Sequence, residues 1–204
     1  MKRDVYFAVC AYIILLAVSF IFSIVLGMGK AESLHEPSSL WMYARRGLMI
    51  IFGLIIPWLR GKDTLAAFGW KVSLPWLLCT LGVGVLFGNF NPGGFDPRGP
   101  INILLALFHS FSTELFFRRY LLKTFENYFT RLWPAVFLSA ILYGLFYLTV
   151  WKTFEKPGLG RCIFIVILFT VLGTVFAYSY KKSKSFFVPW LMHFFSVLNF
   201  RLLY

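Results

Sequence analysis

The sequence places one carboxylate where a carboxylate is costly. Glu114 lies deep in an apolar run, whereas the other seven of the eight acidic residues fall in turns or near run ends. In hydrocarbon such a group costs about 3 kcal/mol or more unless it is paired or faces a wet cavity. Arg118 follows four residues later, so on a helix the two side chains share a face and can pair. Two interpretations are open: a buried ion pair that ties this helix to a bundle, or a functional site.

Histidines supply the next candidates for chemistry. His193 is isolated in the last apolar run, where a lone histidine is usually a packed side chain but can also transfer protons. His109 ranks lower, because five positions before Glu114 it lies on a different side of the helix. His35 begins an H-E-x-x-H pattern, but Ser39 occupies the second histidine position. Glu114 and His193 alone offer too few ligands for zinc, so neither a metal nor a cofactor is expected.

Apolar helices must position these residues. The sequence is 59% hydrophobic, and a helix needs roughly 20 apolar residues to cross a bilayer. Seven runs come close, at about 5–28, 40–60, 73–90, 100–117, 132–151, 162–180 and 186–204. The first lacks a small-x-small cleavage site and is expected to be a retained helix. The prediction is an all-α, polytopic transmembrane bundle of about seven helices, forming one membrane domain over residues 1–204.

Charge gives an expected orientation. The formal net charge is +12, but the basic residues lie mainly between apolar runs, where they meet anionic lipid headgroups, so nucleic acid is not an expected partner. Seven spans with the N-terminus inside place more of these residues on the inner side. Arg45 and Arg46, early in the second run, fit neither side and are expected to snorkel to the outer surface. This bias favours a prokaryotic cytoplasmic membrane.

Small residues have structural interpretations. Gly84 and Gly88 form a G-x-x-x-G pattern, which predicts close helix packing. Cys10, Cys79 and Cys162 have no metal-binding spacing and are expected to be small core residues.

Three short stretches resemble the signatures of one family. TELFFRRYL at 113–121 is similar to E-E-x-x-x-R-G, SAILYGLFY at 139–147 to a second signature F-x-x-x-H, and residues 185–193 to the approach to a third, H-x-x-x-N/D. In this order they resemble the CPBP family, the type II CAAX prenyl endopeptidases and bacteriocin-processing (Abi) intramembrane proteins. The resemblance covers roughly residues 100–199.

The resemblance implies a mechanism that this chain keeps only in part. In active members a glutamate and a histidine activate a water, and histidine and asparagine stabilise the oxyanion. Glu114, Arg118 and His193 match the signatures. Other residues depart from them: Thr113 at the first glutamate, Arg119 at the glycine, Tyr143 at the phenylalanine, Tyr147 at the second-signature histidine and Val197 at the asparagine. Threonine and tyrosine can bond a water, but neither is a base at neutral pH.

Two hypotheses follow from this mixture. In the first, an intramembrane glutamic-type endopeptidase cleaves membrane-embedded or lipidated protein segments, with Glu114 as base, Arg118 orienting it and His193 as electrophile or proton donor. In the second, a catalytically inactive pseudoprotease binds such a segment as a scaffold, immunity or partner-binding protein. A proton-relaying transporter is a third class, but the sequence shows no paired half-helices or internal repeat to favour it.

Overall fold

The computed structural model describes residues 2–24, 40–59, 61, 69, 72–89, 94–149 and 158–200. Within these residues the fold is all-α, as predicted, with seven helices and no β-strand. The helices are α1 (Lys2–Ile24), α2 (Leu40–Ile50, Ile51–Ile55 and Ile56–Leu59), α3 (Leu74–Asn89), α4 (Pro100–Tyr128), α5 (Leu132–Leu148), α6 (Leu159–Ser183) and α7 (Phe187–Val197).

Three of the described helices are long and apolar enough to cross a membrane: Arg3–Ile21 of α1, Pro100–Tyr128 and Leu159–Ser183. The outer faces of the bundle are apolar; Ile14, Leu78 and Phe164 expose 46%, 60% and 64% of their surface. Cys10 and Cys79 also lie on exposed positions, so the expectation that the cysteines are core residues is wrong for these two. The apolar outer faces of the bundle are suited to contact with lipid.

Two predicted runs differ from the helices. The run at 100–117 continues as helix to Tyr128. The run at 186–204 ends as helix at Val197, because the chain becomes extended at Leu198. There the Phe95 amide donates to the Val197 carbonyl at 2.8 Å, and the Asn199 amide donates to the Phe95 carbonyl at 2.9 Å. Phe95 is 1% exposed, so this non-helical backbone is buried in protein, where it can be satisfied within a membrane.

The loop that leads into α4 carries a local ion pair. Arg98 Nη2 lies 2.6 Å from Asp96 Oδ2. The hydrogen bond and charge of Asp96 raise the pKa of Arg98 above its usual value.

Two π-helical segments cross at the centre of the bundle. They are Ile51–Ile55 of α2 and Leu115–Leu122 of α4, and the second begins directly after Glu114. A Cβ on Gly53 would lie 3.0 Å from the Leu115 carbonyl carbon, so glycine permits this close approach. Segments of this kind often occur at functional sites.

The packing of α3 on α7 confirms the interpretation of the G-x-x-x-G pattern. A Cβ on Gly84 would lie 2.5 Å from the Cβ of Phe195, and one on Gly88 would lie 2.6 Å from the Phe195 carbonyl oxygen. The two glycines therefore fix the position of α7, which carries His193.

Candidate functional site

Glu114 and Arg118 form the buried pair that their spacing predicts. Glu114 Oε2 lies 3.0 Å from Arg118 Nε, and both side chains are fully buried. The guanidinium stands over the Tyr143 ring at 4.7 Å, and its Nη1 donates to Ser139 Oγ at 3.4 Å. Arginine tolerates this environment because its planar cation stacks on aromatic faces and is weakly hydrated.

His193 completes the predicted trio. Its Nδ1 lies 2.8 Å from Glu114 Oε1, and its ring stacks on Phe176 at 5.3 Å between centroids. The structure therefore brings Glu114, Arg118 and His193 together from α4 and α7, although 79 residues separate the carboxylate from the imidazole.

Tyr143 and Tyr147 extend this network across α5. The Tyr147 hydroxyl lies 3.2 Å from His193 Nε2, and the Tyr143 hydroxyl donates to that of Tyr147 at 3.3 Å. Tyr147 also stacks on Phe169, with the centroids 3.8 Å apart. The residue at the second-signature histidine position thus faces the site, but as a phenol that contacts His193.

Hydrogen-bond contacts of His193 link Glu114 to the two tyrosines. An ionised carboxylate only accepts, so His193 donates from Nδ1 to Glu114, and the Tyr147 and Tyr143 hydroxyls lie 3.2 and 3.5 Å from its Nε2. Tyr143 in turn donates to Tyr147. Glu114 accordingly has one oxygen facing Arg118 and the other facing His193. This arrangement orients the imidazole and places two hydroxyls at its Nε2.

The other side of the site contains residues that the sequence did not place there. Arg46 Nη1 donates to Thr113 Oγ1 at 2.7 Å, and Arg46 Nη2 contacts His109 Nδ1. Arg45 and Arg46 are 2% and 1% exposed, so the expectation that they snorkel to the outer surface is wrong. An arginine near the end of an apolar run is normally interpreted as a surface residue, and only the crossing of α2 on α4 brings Arg46 inward.

His109 also lies beside the site, although its sequence position ranked it below His193. Its ring lies edge-on to His193, with centroids 5.6 Å apart, and edge-on to Phe95 at 5.9 Å. The low rank rested on helical angle relative to Glu114. His109 nevertheless lies near His193 because both α7 and α2 contact α4.

Val197, at the third-signature asparagine position, has a structural role here. Its carbonyl accepts the Phe95 amide, and its side chain packs in an apolar cluster with Phe95 and Leu198. Over the described part of the chain, no three His, Cys, Asp or Glu residues form a group that could hold a metal ion.

This is an integral membrane protein: its fold is helical, its outer surface is apolar, and a buried Glu–Arg–His site lies at its core. Comparison with family models gives a more specific result: residues 99–198 match the type II CAAX prenyl endopeptidase Rce1-like model. The match covers 100 of the 204 residues and confirms the family resemblance recognised from the signatures. No curated protein and no solved structure matches the chain.

Proposed function

We propose that this chain is a non-proteolytic member of the Rce1-like family that binds a membrane-embedded or lipidated protein segment. One observation carries the proposal: Tyr147, at the position of the water-activating histidine, contacts His193 Nε2 at 3.2 Å. The histidine that would activate water is replaced by Tyr147, whose hydroxyl contacts the imidazole of His193.

The chemistry of the remaining groups supports the same function. Hydrolysis of a peptide bond needs a base that can take a proton from water near neutral pH. Thr113 and Tyr147 are not such bases. Glu114 is a carboxylate, but its two oxygens lie 3.0 Å from Arg118 Nε and 2.8 Å from His193 Nδ1. Both carboxylate oxygens therefore already face protein partners.

A second candidate is an endopeptidase with Glu114 as base, Arg118 orienting it and His193 as proton donor. The 2.8 Å contact between Glu114 and His193 favours it, since a carboxylate and an imidazole in contact can share proton transfer. It ranks second because it leaves Tyr147 and Val197 without a catalytic role. For both candidates we propose a prokaryotic cytoplasmic membrane, on the basis of the basic residues between the helices.

The test compares binding and cleavage in one preparation. Wild type and Glu114→Gln are reconstituted in liposomes with a farnesylated peptide ending in a CAAX sequence, and bound peptide and product are measured by mass spectrometry. We expect peptide bound to both proteins and recovered intact. Cleavage by wild type that disappears in Glu114→Gln would replace this proposal with the endopeptidase, whereas absence of binding would contradict the proposed partner class.

Cells give an independent measurement that needs no chosen substrate. Protein termini in the membrane fraction are compared between cells that lack the gene and cells restored with wild type or Glu114→Ala at equal levels. We expect no terminus that depends on Glu114. Such a terminus would identify both an activity and its substrate.

A further inference from the structure

The site extends beyond the segment that matches the family. That segment covers residues 99–198, yet Arg46 reaches the centre from α2. Its guanidinium lies between the Thr113 hydroxyl, at 2.7 Å, and the His109 ring, with Met49 Sδ at 3.6 Å. A cation from outside the matched segment therefore contacts residue 113, the position of the first signature glutamate.

Arg46 determines which atoms of Thr113 and His109 accept hydrogen bonds. Arginine only donates, so Thr113 Oγ1 and His109 Nδ1 accept from Arg46. The Thr113 hydroxyl donates to the His109 carbonyl at 2.8 Å. Arg46 Nη2 is nearer to Nδ1 of His109 and lies 3.3 Å from Nε2, so we expect the His109 proton on Nε2, whereas His193 donates from Nδ1 to Glu114. The centroids of the two imidazoles are 5.6 Å apart, and this pattern of contacts predicts opposite tautomers.

We propose that Arg46 is a positioning residue for position 113, which fixes the Thr113 hydroxyl and would pair with a carboxylate placed there. The guanidinium lies at bonding distance from the side chain at 113, in a region where Thr113 is 0% and Arg46 1% exposed. A glutamate restored at 113 would form a salt bridge with Arg46, and its charge would be balanced by that pair. Reversal of the threonine alone would then rebuild the signature without rebuilding a base.

This inference deepens the proposed function, but its test measures stability, so the two can fail separately. Thr113→Glu and the uncharged, equally large Thr113→Gln are each made with Arg46 intact and with Arg46→Met, and thermal unfolding is followed in one detergent. With Arg46 intact we expect the glutamate variant to be at least as stable as the glutamine variant. With Arg46→Met we expect the glutamate variant to unfold roughly 6 to 20 °C below the glutamine variant, because its buried carboxylate loses its counter-ion.

The glutamine variants control for size, since they add the same volume without a charge. An equal difference between Glu and Gln in the two backgrounds would overturn the inference.

A spectroscopic measurement decides the matter if the double variant does not fold. The chain has three histidines, so ¹⁵N-imidazole labelling gives few signals, and His109→Gln and His193→Gln assign them. In wild type we expect opposite tautomers for His109 and His193. In Thr113→Glu, the guanidinium turns toward the new carboxylate, and the His109 signal shifts. An unchanged His109 signal in that variant would overturn the inference.

Discussion

Glu114 is a single buried carboxylate that faces two partners. Arg118 and His193 approach different oxygens of it, at 3.0 and 2.8 Å, and all three side chains are at most 1% exposed. Because all three are shielded from solvent, each buried charged group is stabilised mainly by its partners. Loss of one therefore costs more than the contact itself contributed, because the other stays buried without a partner.

Glu114→Gln tests this compensation. It leaves the Arg118 charge buried without its carboxylate, and we expect a loss of about 3–5 kcal/mol in the free energy of unfolding. Glu114→Gln combined with Arg118→Met should recover part of that loss. Thermal and denaturant unfolding in detergent measure both.

The matched control is Glu126→Gln. Glu126 pairs with Lys181 at 2.8 Å, but the lysine side chain is 35% exposed, so we expect a loss of about 1 kcal/mol or less. Equal losses at Glu114 and Glu126 would show that the buried pair has no special importance.

Tyr147→Phe tests the contact that carries the proposed function. It removes the hydroxyl that bonds His193 Nε2 and leaves the ring stacked on Phe169. We expect a loss of about 1–3 kcal/mol, because Nε2 keeps only the longer, 3.5 Å contact to the Tyr143 hydroxyl, and a shift of the His193 ¹⁵N signal. Tyr6→Phe, at a side chain that is 70% exposed, should change neither. A His193 signal that does not respond to Tyr147→Phe would contradict the assigned hydrogen bond.

Helix α7 matters because it delivers His193 through a short element. It spans 11 residues, Phe187–Val197, or about 16 Å at 1.5 Å per residue, which is less than a bilayer core. Its position is set by the glycine face of α3, by the backbone contacts of Phe95, and by Trp190 Nε1, which donates to the Leu107 carbonyl at 3.3 Å. The element is thus fixed by packing against protein on several sides.

Gly88→Ala tests the glycine face. The new Cβ would lie 2.6 Å from the Phe195 carbonyl oxygen and 2.7 Å from that of Leu198. Backbone atoms move less easily than side chains, so we expect a loss of about 1–3 kcal/mol and a shift of the His193 ¹⁵N signal as α7 is displaced. Gly82→Ala is the control on the same helix, since its Cβ would meet nothing within 4 Å. Equal effects at both glycines would rule out close packing as the cause.

Across the whole molecule, the sequence was informative where burial alone decides the outcome. Long apolar runs have few ways to satisfy their backbone in lipid, so the seven helices could be predicted. A carboxylate in such a run needs a partner, and this requirement identified Glu114 and, four residues later, Arg118. The π-helical segments, Arg46 and His109 depend on how helices cross, and the end of α7 depends on a pairing with Phe95. Residue types at fixed spacing contain none of that information.

The orientation in the membrane stays a prediction, and the charges at the two ends of the bundle motivate it. Among the described residues, Arg131, Lys182 and Lys184 are exposed where α5 begins and α6 ends. At the opposite end Arg161 is exposed, whereas Arg98 is paired with Asp96 at 2.6 Å. By the positive-inside rule, the end with Lys182 faces the cytoplasm, and alternation of the helices then places the N-terminus inside.

Cysteine labelling in intact cells checks this orientation. After Cys10, Cys79 and Cys162 are replaced by alanine, single cysteines are placed at Arg131, Lys182, Arg98 or Leu159 and treated with a maleimide that cannot cross the membrane. We expect labelling of Arg98→Cys and Leu159→Cys, because they lie at the outer end, and labelling of Arg131→Cys and Lys182→Cys only after the cells are permeabilised. The reverse pattern would invert the topology, and labelling of all four in intact cells would mean that α4, α5 and α6 do not cross the bilayer.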